Sequence, residues 1–146
     1  MADRSLAIIA AIVDDDERFL WSLENLLESA GCTVRLFSSA EALLASGDLP
    51  EIDCLISDID LPKINGFELL RLVYAARPEL PVILVTGHHA IVDRPPLIGS
   101  ARYRLFKKPF DGQELLAAVS DVVRHLRHLP DESSASRHGS GRGNAC

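Results

Sequence analysis

Short apolar runs alternate with amphipathic stretches along most of the chain. The run from Leu6 to Val13 is continuously apolar and stops at acids, which is typical of a parallel strand buried on both faces. From Asp16 to Ala30, apolar residues recur at helical spacing, and Gly31 supplies a helix stop. The recurring apolar residues are Phe19, Leu23, Leu26, Leu27 and Ala30. This pattern predicts a strand followed by a helix.

The same strand and helix couplet recurs along the chain. The predicted couplets are Thr33 to Phe37 with Ala40 to Ala45, Cys54 to Ser57 with Gly66 to Ala76, Val82 to Val85 with a helix before Ser100, and Tyr103 to Lys107 with Gly112 to Leu129. With the first couplet, they predict an α/β fold with a five-stranded, doubly wound parallel sheet. Because proline fits a first helical turn but breaks an interior, the helix before Ser100 is expected to begin near Pro95, after a long loop.

Composition and charge narrow the class of protein. A chain of 146 residues is long enough for one domain, which we place at residues 1–129. The Ser- and Gly-rich segment 130–146 lacks periodic apolar residues and is expected to be a disordered tail with no output domain attached. The formal net charge of -6 disfavours DNA binding. No bilayer-spanning run or secretory signal is visible, so we expect a cytoplasmic protein that does not enter a membrane.

Polar residues follow the predicted strands at the sheet edge where ligands of doubly wound folds bind. They are Asp14, Asp15, Asp58, Thr86 and Lys108. Carboxylates that converge on one pocket repel one another. A bound Mg²⁺ ion, which prefers oxygen ligands, would neutralise this repulsion. Beside Mg²⁺ and Lys108, an aspartate can act as a nucleophile and form an acyl phosphate, while the Thr86 hydroxyl can bind a phosphoryl oxygen.

The acidic run from Asp14 to Glu17 has a second reading. Acids are favoured at a helix N-terminus because they cap free N–H groups and interact with the helix dipole. We assign that role to Asp16 and Glu17, whereas Asp14 and Asp15 stand at the strand end.

Four motifs together resemble the receiver domain of two-component response regulators. They are IVDDDE, LISDIDLPKINGFELL, VILVTG and KKPF, and the spacing from Thr86 to Lys108 is that of the family. The resemblance spans roughly Leu6 to Leu129 and implies a CheY-like, flavodoxin-like fold.

The resemblance implies a role for each residue of the site. Asp58 would be the phospho-acceptor, and Asp14 and Asp15 would bind Mg²⁺ together with Asp58 and the backbone carbonyl of Asp60. Thr86 would be the switch hydroxyl. Lys108 would be the family's lysine at the phosphoryl group.

The residues around these positions also match the family, with one departure. Gly66 would permit a tight bend before its helix, and Pro109 would form a cis peptide bond that aims the preceding lysine inward. The family usually has Tyr or Phe three residues before the lysine, but this chain has Leu105. This chain therefore lacks the aromatic residue of the usual coupling to the switch hydroxyl.

As a receiver, the protein would be a signalling switch in a phosphorelay. A histidine kinase or histidine phosphotransfer protein would phosphorylate Asp58, and the changed surface would bind an unknown downstream protein. We expect a monomer or weak homodimer. We expect no enzyme activity apart from Mg²⁺-dependent self-phosphorylation and self-dephosphorylation.

Two other functions fit parts of the sequence. Asp58-Ile59-Asp60 resembles the DxD nucleophile motif of haloacid-dehalogenase-type phosphatases, but that motif normally ends the first strand, and here it ends the third. A degenerate receiver that binds partners without phosphorylation is the other alternative. The complete acidic set argues against it.

Overall fold

A computed structural model describes residues 7–87, 96–97, 99 and 102–127 of the chain, with only the backbone described at 125–127. The strands are β1 (Ile9–Val13), β2 (Thr33–Phe37), β3 (Cys54–Asp58), β4 (Val82–Thr86) and β5 (Arg104–Lys107). The helices within this part of the chain are α1 (Glu17–Ser29), α2 (Ala40–Ser46), α3 (Gly66–Ala76) and α4 (Gly112–Arg127), with a short 3-10 helix at Leu49–Glu51.

The strands form one parallel sheet in the order β2-β1-β3-β4-β5. This arrangement confirms the predicted five-stranded parallel sheet. The chain order reverses between β1 and β3, which lie side by side with Val13 opposite Ser57. The residues that follow these two positions, Asp14 and Asp58, therefore emerge next to each other at one edge.

The sheet is buried on both faces. Along β1, Ala11 and Val13 join the core on one face, and Ala10 and Ile12 join the core on the other. Helices α2 and α3 supply apolar side chains to the first core, and α1 and α4 supply them to the second. Double burial explains why the strands read as continuous apolar runs rather than as alternating patterns.

Helix α1 packs a stripe of leucines against the sheet. Its buried side chains are Leu20, Leu23 and Leu27. Phe19 lies one residue before this stripe, is half-buried and packs against the same core. Ala30 is the C-cap that follows the helix, and it is exposed.

Other boundaries shift by smaller amounts. Strand β1 begins at Ile9 rather than Leu6, while β3 and β4 each extend one residue further, to Asp58 and Thr86. Pro96 and Leu97 are not helical, so the expected helix does not begin near Pro95. The loop before it and the segment 130–146, predicted to be disordered, lie outside the described residues. None of the helices described here has the length and apolar character needed to cross a bilayer.

Capping residues fix where the helices at the site begin. The Asp16 side chain accepts a hydrogen bond from the backbone N–H of Arg18, as the capping interpretation expects. At α3, Asn65 and Glu68 form a reciprocal capping box. Gly66 follows this cap directly and donates its N–H to the carbonyl of Ile59 at 2.9 Å. The start of α3 is thereby held against the end of β3.

We predict that Gly66→Ala destabilises the protein by about 1–3 kcal/mol, because the added methyl group overpacks a rigid contact. A Cβ at this position would lie 2.7 Å from the carbonyl oxygen of Asp58 and 2.7 Å from Cα of Ile59, and neither backbone atom can move without displacing the strand end. Urea denaturation measures the change. Gly87→Ala is the control, since a Cβ there meets no atom of the described residues within 4 Å. Equal stabilities of the two variants would contradict the prediction.

Candidate functional site

The predicted site residues converge at the carboxyl edge of the sheet. Asp58 and Thr86 are the last residues of β3 and β4, and Asp14 and Lys108 directly follow β1 and β5. Carboxylate oxygens of Asp14, Asp15 and Asp58 lie within 4.8 Å of one another. The parallel sheet therefore gathers residues that are far apart in the sequence into one acidic cluster.

Two of the three carboxylates are withdrawn from water. Asp14 has 0% of its surface exposed and Asp58 has 7%, whereas Asp15 is exposed. The Lys108 ammonium lies 3.0 Å from Oδ2 of Asp14 and 3.7 Å from Oδ1 of Asp58. Asp14 Oδ1 also accepts a hydrogen bond of 2.9 Å from the backbone N–H of Asp16. The buried carboxylates thus share the ammonium, with the closer contact to Asp14.

Backbone contacts position Lys108. Its N–H donates to the carbonyl oxygen of Thr86 at 2.7 Å, which extends the β4–β5 ladder by one residue. The Lys108–Pro109 peptide bond is cis, as the resemblance implies. Thr86 itself is fully buried. Leu105, which stands where the family usually has an aromatic residue, is half-buried against the core under α2 and α3.

Burial dominates the electrostatics of the two inner carboxylates. It raises the pKa of Asp14, against the opposing effects of the Asp16 N–H and the Lys108 ammonium. Burial also raises the pKa of Asp58, and the neighbouring Asp14 charge raises it further, while Lys108 opposes both effects. The ammonium therefore compensates only part of the cost of holding two negative charges in this pocket.

The loop after β3 brings Asp60 to the rim of the site. Asp60 is exposed, and a hydrogen bond from its backbone lowers the pKa of Asp58 in opposition to burial. Further along the loop, the N–H of Ile64 donates to Oε2 of Glu41 at 3.2 Å, which ties the loop to α2. The assignment of the Asp60 carbonyl to a metal stays a prediction.

The sequence pattern did not indicate a role for two aromatic residues that adjoin the site. The Lys108 ammonium lies 4.1 Å from the centroid of the Phe19 ring. Phe110 meets Phe19 edge to face, with centroids 6.0 Å apart at 90°. The sequence pattern predicts Phe19 only as one of the apolar positions of α1. Two signals could have indicated that these rings adjoin Lys108. Phe19 follows the acidic pair by about one helical turn, and Phe110 follows the lysine by two residues.

Comparison with known proteins identifies the family. The sequence model of the response regulator receiver domain matches residues 10–120. The chain is 34% identical over 124 residues to the response regulator protein TodT of Pseudomonas putida, covering 85% of this chain and 54% of TodT. It is 31% identical over 124 residues to the DNA-binding transcriptional regulator NtrC of Proteus hauseri, covering 85% of this chain and 26% of NtrC. The chain thus spans about half and about a quarter of these relatives.

Solved structures agree with the sequence comparisons. A response regulator receiver domain protein from Clostridium thermocellum superposes with a TM-score of 0.76 at 25% identity, over 82% of this chain and 97% of that one. A CheY-like receiver domain protein from Methanospirillum hungatei superposes with a TM-score of 0.73 at 27% identity, over 83% and 97%. With the family model spanning most of the sheet and the acidic cluster, the chain belongs to the receiver domains of two-component response regulators.

Proposed function

We propose that this receiver domain accepts a phosphoryl group on Asp58 from a histidine kinase or histidine phosphotransfer protein. Receiver domains are phosphoryl-accepting signalling domains, and the proposal assigns that activity to one side chain. The observation that supports it most is the placement of the Asp58 carboxylate at the end of β3, 3.7 Å from the Lys108 ammonium and within 4.8 Å of two further carboxylates.

Asp58 suits the role of nucleophile better than its acidic neighbours. Both oxygens of Asp14 are engaged, one by the Asp16 N–H and the other by Lys108, and the side chain is fully buried. Asp15 is exposed, so its charge is well solvated. Asp58 combines near-complete burial with a small exposed fraction through which a phosphodonor can approach. Burial strips water from its carboxylate, and this favours reaction with phosphorus once cations neutralise the phosphoryl oxygens.

The residues present fit a magnesium ion. Receiver domains generally bind Mg²⁺ at an acidic pocket, and this chain provides a cluster of hard carboxylate oxygens for which Lys108 compensates only in part. Asp14, Asp15 and Asp58 would hold the ion, together with the backbone carbonyl of Asp60. When bound, Mg²⁺ neutralises charge on the phosphoryl oxygens and on the acceptor.

The remaining steps belong to side chains of this chain. A carboxylate oxygen of Asp58 attacks phosphorus while the bond from phosphorus to the donor's histidine nitrogen breaks, so the imidazole leaves with that electron pair. Lys108 donates a hydrogen bond to a phosphoryl oxygen, and the Thr86 hydroxyl donates to another. The position of Thr86 then reports the phosphorylation state to the surface that binds a downstream protein.

The proposed function includes no enzyme activity other than self-phosphorylation and self-dephosphorylation. A haloacid-dehalogenase-type phosphatase would use Asp60 as a general acid or base, but Asp60 is exposed and follows β3 rather than the first strand. A degenerate receiver is disfavoured because the acidic cluster and its lysine are all in place.

We predict that Asp58→Asn abolishes phosphorylation, because an amide cannot form the acyl phosphate. The protein is incubated with acetyl phosphate and Mg²⁺, and the intact mass is measured for a phosphate adduct. Asp121→Asn is the control, since it removes an exposed carboxylate of α4 that is 65% accessible. If the Asp58→Asn variant forms as much phosphate adduct as the wild type, Asp58 is not the phospho-acceptor.

Asp15→Ala should weaken Mg²⁺ binding by about tenfold or more, because it removes a ligand or the partner of a coordinated water. Titration calorimetry with MgCl₂ measures the dissociation constant. The matched control is Asp16→Ala, which removes the same charge one residue later from a side chain that caps α1. If both variants bind Mg²⁺ equally well, Asp15 is not part of the metal site.

In the absence of metal, Asp58→Asn should stabilise the protein at pH 7. Burial raises the pKa of Asp58 in the folded state. The stability that this group contributes is therefore fully present below its unfolded-state pKa. That stability is lost as the pH rises through the folded-state pKa. Removing the charge should therefore increase the free energy of unfolding at this pH.

Urea denaturation in EDTA at pH 7 and at acidic pH measures this effect. The advantage of the asparagine variant should shrink toward acidic pH, where Asp58 is protonated in both states, and should reverse in excess Mg²⁺, which binds the wild type. If Asp58→Asn has a lower free energy of unfolding than the wild type in EDTA at pH 7, the Asp58 charge does not destabilise the metal-free protein.

A further inference from the structure

Three groups of the described part of the chain lie close to the Lys108 ammonium. Two are the carboxylates of Asp14 at 3.0 Å and Asp58 at 3.7 Å. The third is the face of the Phe19 ring, whose centroid lies 4.1 Å away. An ammonium within about 6 Å of a ring centroid is attracted by the negative face of the π system. Phe19 comes from α1, so an element that follows β1 reaches across to a side chain that follows β5.

The ring that faces the ammonium is itself braced. Phe110 packs edge to face against Phe19 at 6.0 Å and 90°. Phe106, on β5, packs against Phe110 at 5.8 Å and 74°. Edge-to-face contacts at these separations are favourable. The three phenylalanines therefore form one packed cluster that supports the ring beside the lysine.

We propose that Phe19 is a positioning residue for phosphoryl transfer, holding the Lys108 ammonium in reach of the group that arrives on Asp58. The inference rests on the proposed function of Asp58. Lys108 is paired more closely with Asp14 than with Asp58, and 27% of its side chain is exposed to water. The ring face adds a third attractive contact, so the lysine is kept near the two carboxylates rather than released to solvent.

An aromatic ring is well suited to this task. It attracts the ammonium without a hydrogen-bond acceptor of its own, so N–H donors stay available for Asp14 and for a phosphoryl oxygen. A carboxylate at the same place would hold the lysine more firmly but would add a further negative charge beside Asp14 and Asp58. The pKa of both of these is already raised by burial. The ring therefore positions the cation without aggravating the charge of the pocket.

Substitutions at Phe19 distinguish the effect of its aromatic face from the effect of its apolar volume. Phe19→Leu and Phe19→Met keep an apolar side chain but remove the π face, and they should lower the rate constant for phosphorylation by acetyl phosphate at saturating Mg²⁺ by about 2- to 30-fold. Phe19→Tyr keeps the face and should stay within about twofold of the wild type. The dissociation constant for Mg²⁺ should be unchanged in all three, since Phe19 supplies no metal ligand.

A second measurement reports on the lysine directly. In the wild type, ring current from Phe19 should shift the ε-methylene protons of Lys108 upfield in the NMR spectrum, and this shift should disappear in Phe19→Leu and persist in Phe19→Tyr. Phe67→Leu is the packing control, because it truncates another half-buried phenylalanine whose ring contacts Tyr103 on the α3 side. It should leave both the rate constant and the Lys108 shift at their wild-type values.

The outcomes distinguish this inference from the proposed function. If the wild type takes up no phosphate, the proposed function fails and the positioning role fails with it. If the wild type is phosphorylated but Phe19→Leu and Phe19→Met react as fast as it does, the positioning role alone is overturned. A rate loss in Phe19→Tyr equal to that in Phe19→Leu, or a Mg²⁺ affinity that falls in parallel with the rate, would show a packing role instead.

Discussion

The functional site is built around two carboxylates that are buried side by side and share the ammonium of Lys108. Asp14 and Asp58 lie at the ends of adjacent parallel strands, where the sheet and its helices exclude water. Burial raises the pKa of both, and the lysine offsets only part of that cost. The pocket is therefore predisposed to take up further positive charge. Receiver domains generally bind Mg²⁺ at such an acidic pocket, and a divalent cation would supply this charge.

The fold maintains this arrangement through contacts that leave little freedom. Gly66 lets α3 begin against the backbone of Asp58, at a distance that no side chain would allow. The N–H of Lys108 continues the β4–β5 ladder, which fixes the start of its side chain relative to Thr86. The Phe19 ring of α1 lies against the ammonium. Local backbone geometry and one aromatic contact thus set the positions of charges that repel or attract one another strongly.

The sheet and most of the site could be predicted from the sequence for physical reasons. Parallel strands buried on both faces must read as apolar runs, and polar residues that end such runs must meet at one edge. The orientation of Phe19 could not be predicted in this way. Periodicity defines an apolar stripe only to within about one residue, and packing against the sheet selected Leu20 for the buried position. Likewise, proline chemistry favoured a helix start near Pro95, but Pro96 and Leu97 are not helical.

Titration of the two inner carboxylates tests the account most directly. With the aspartates labelled at the carboxyl carbon, NMR follows Asp14 and Asp58 as a coupled pair from acidic to neutral pH, first in EDTA and then in MgCl₂. We expect at least one apparent pKa of the metal-free pair to lie above the ordinary aspartate range and to fall when Mg²⁺ is present. Titration of both carboxyls within or below that range in EDTA, with no response to Mg²⁺, would contradict the account.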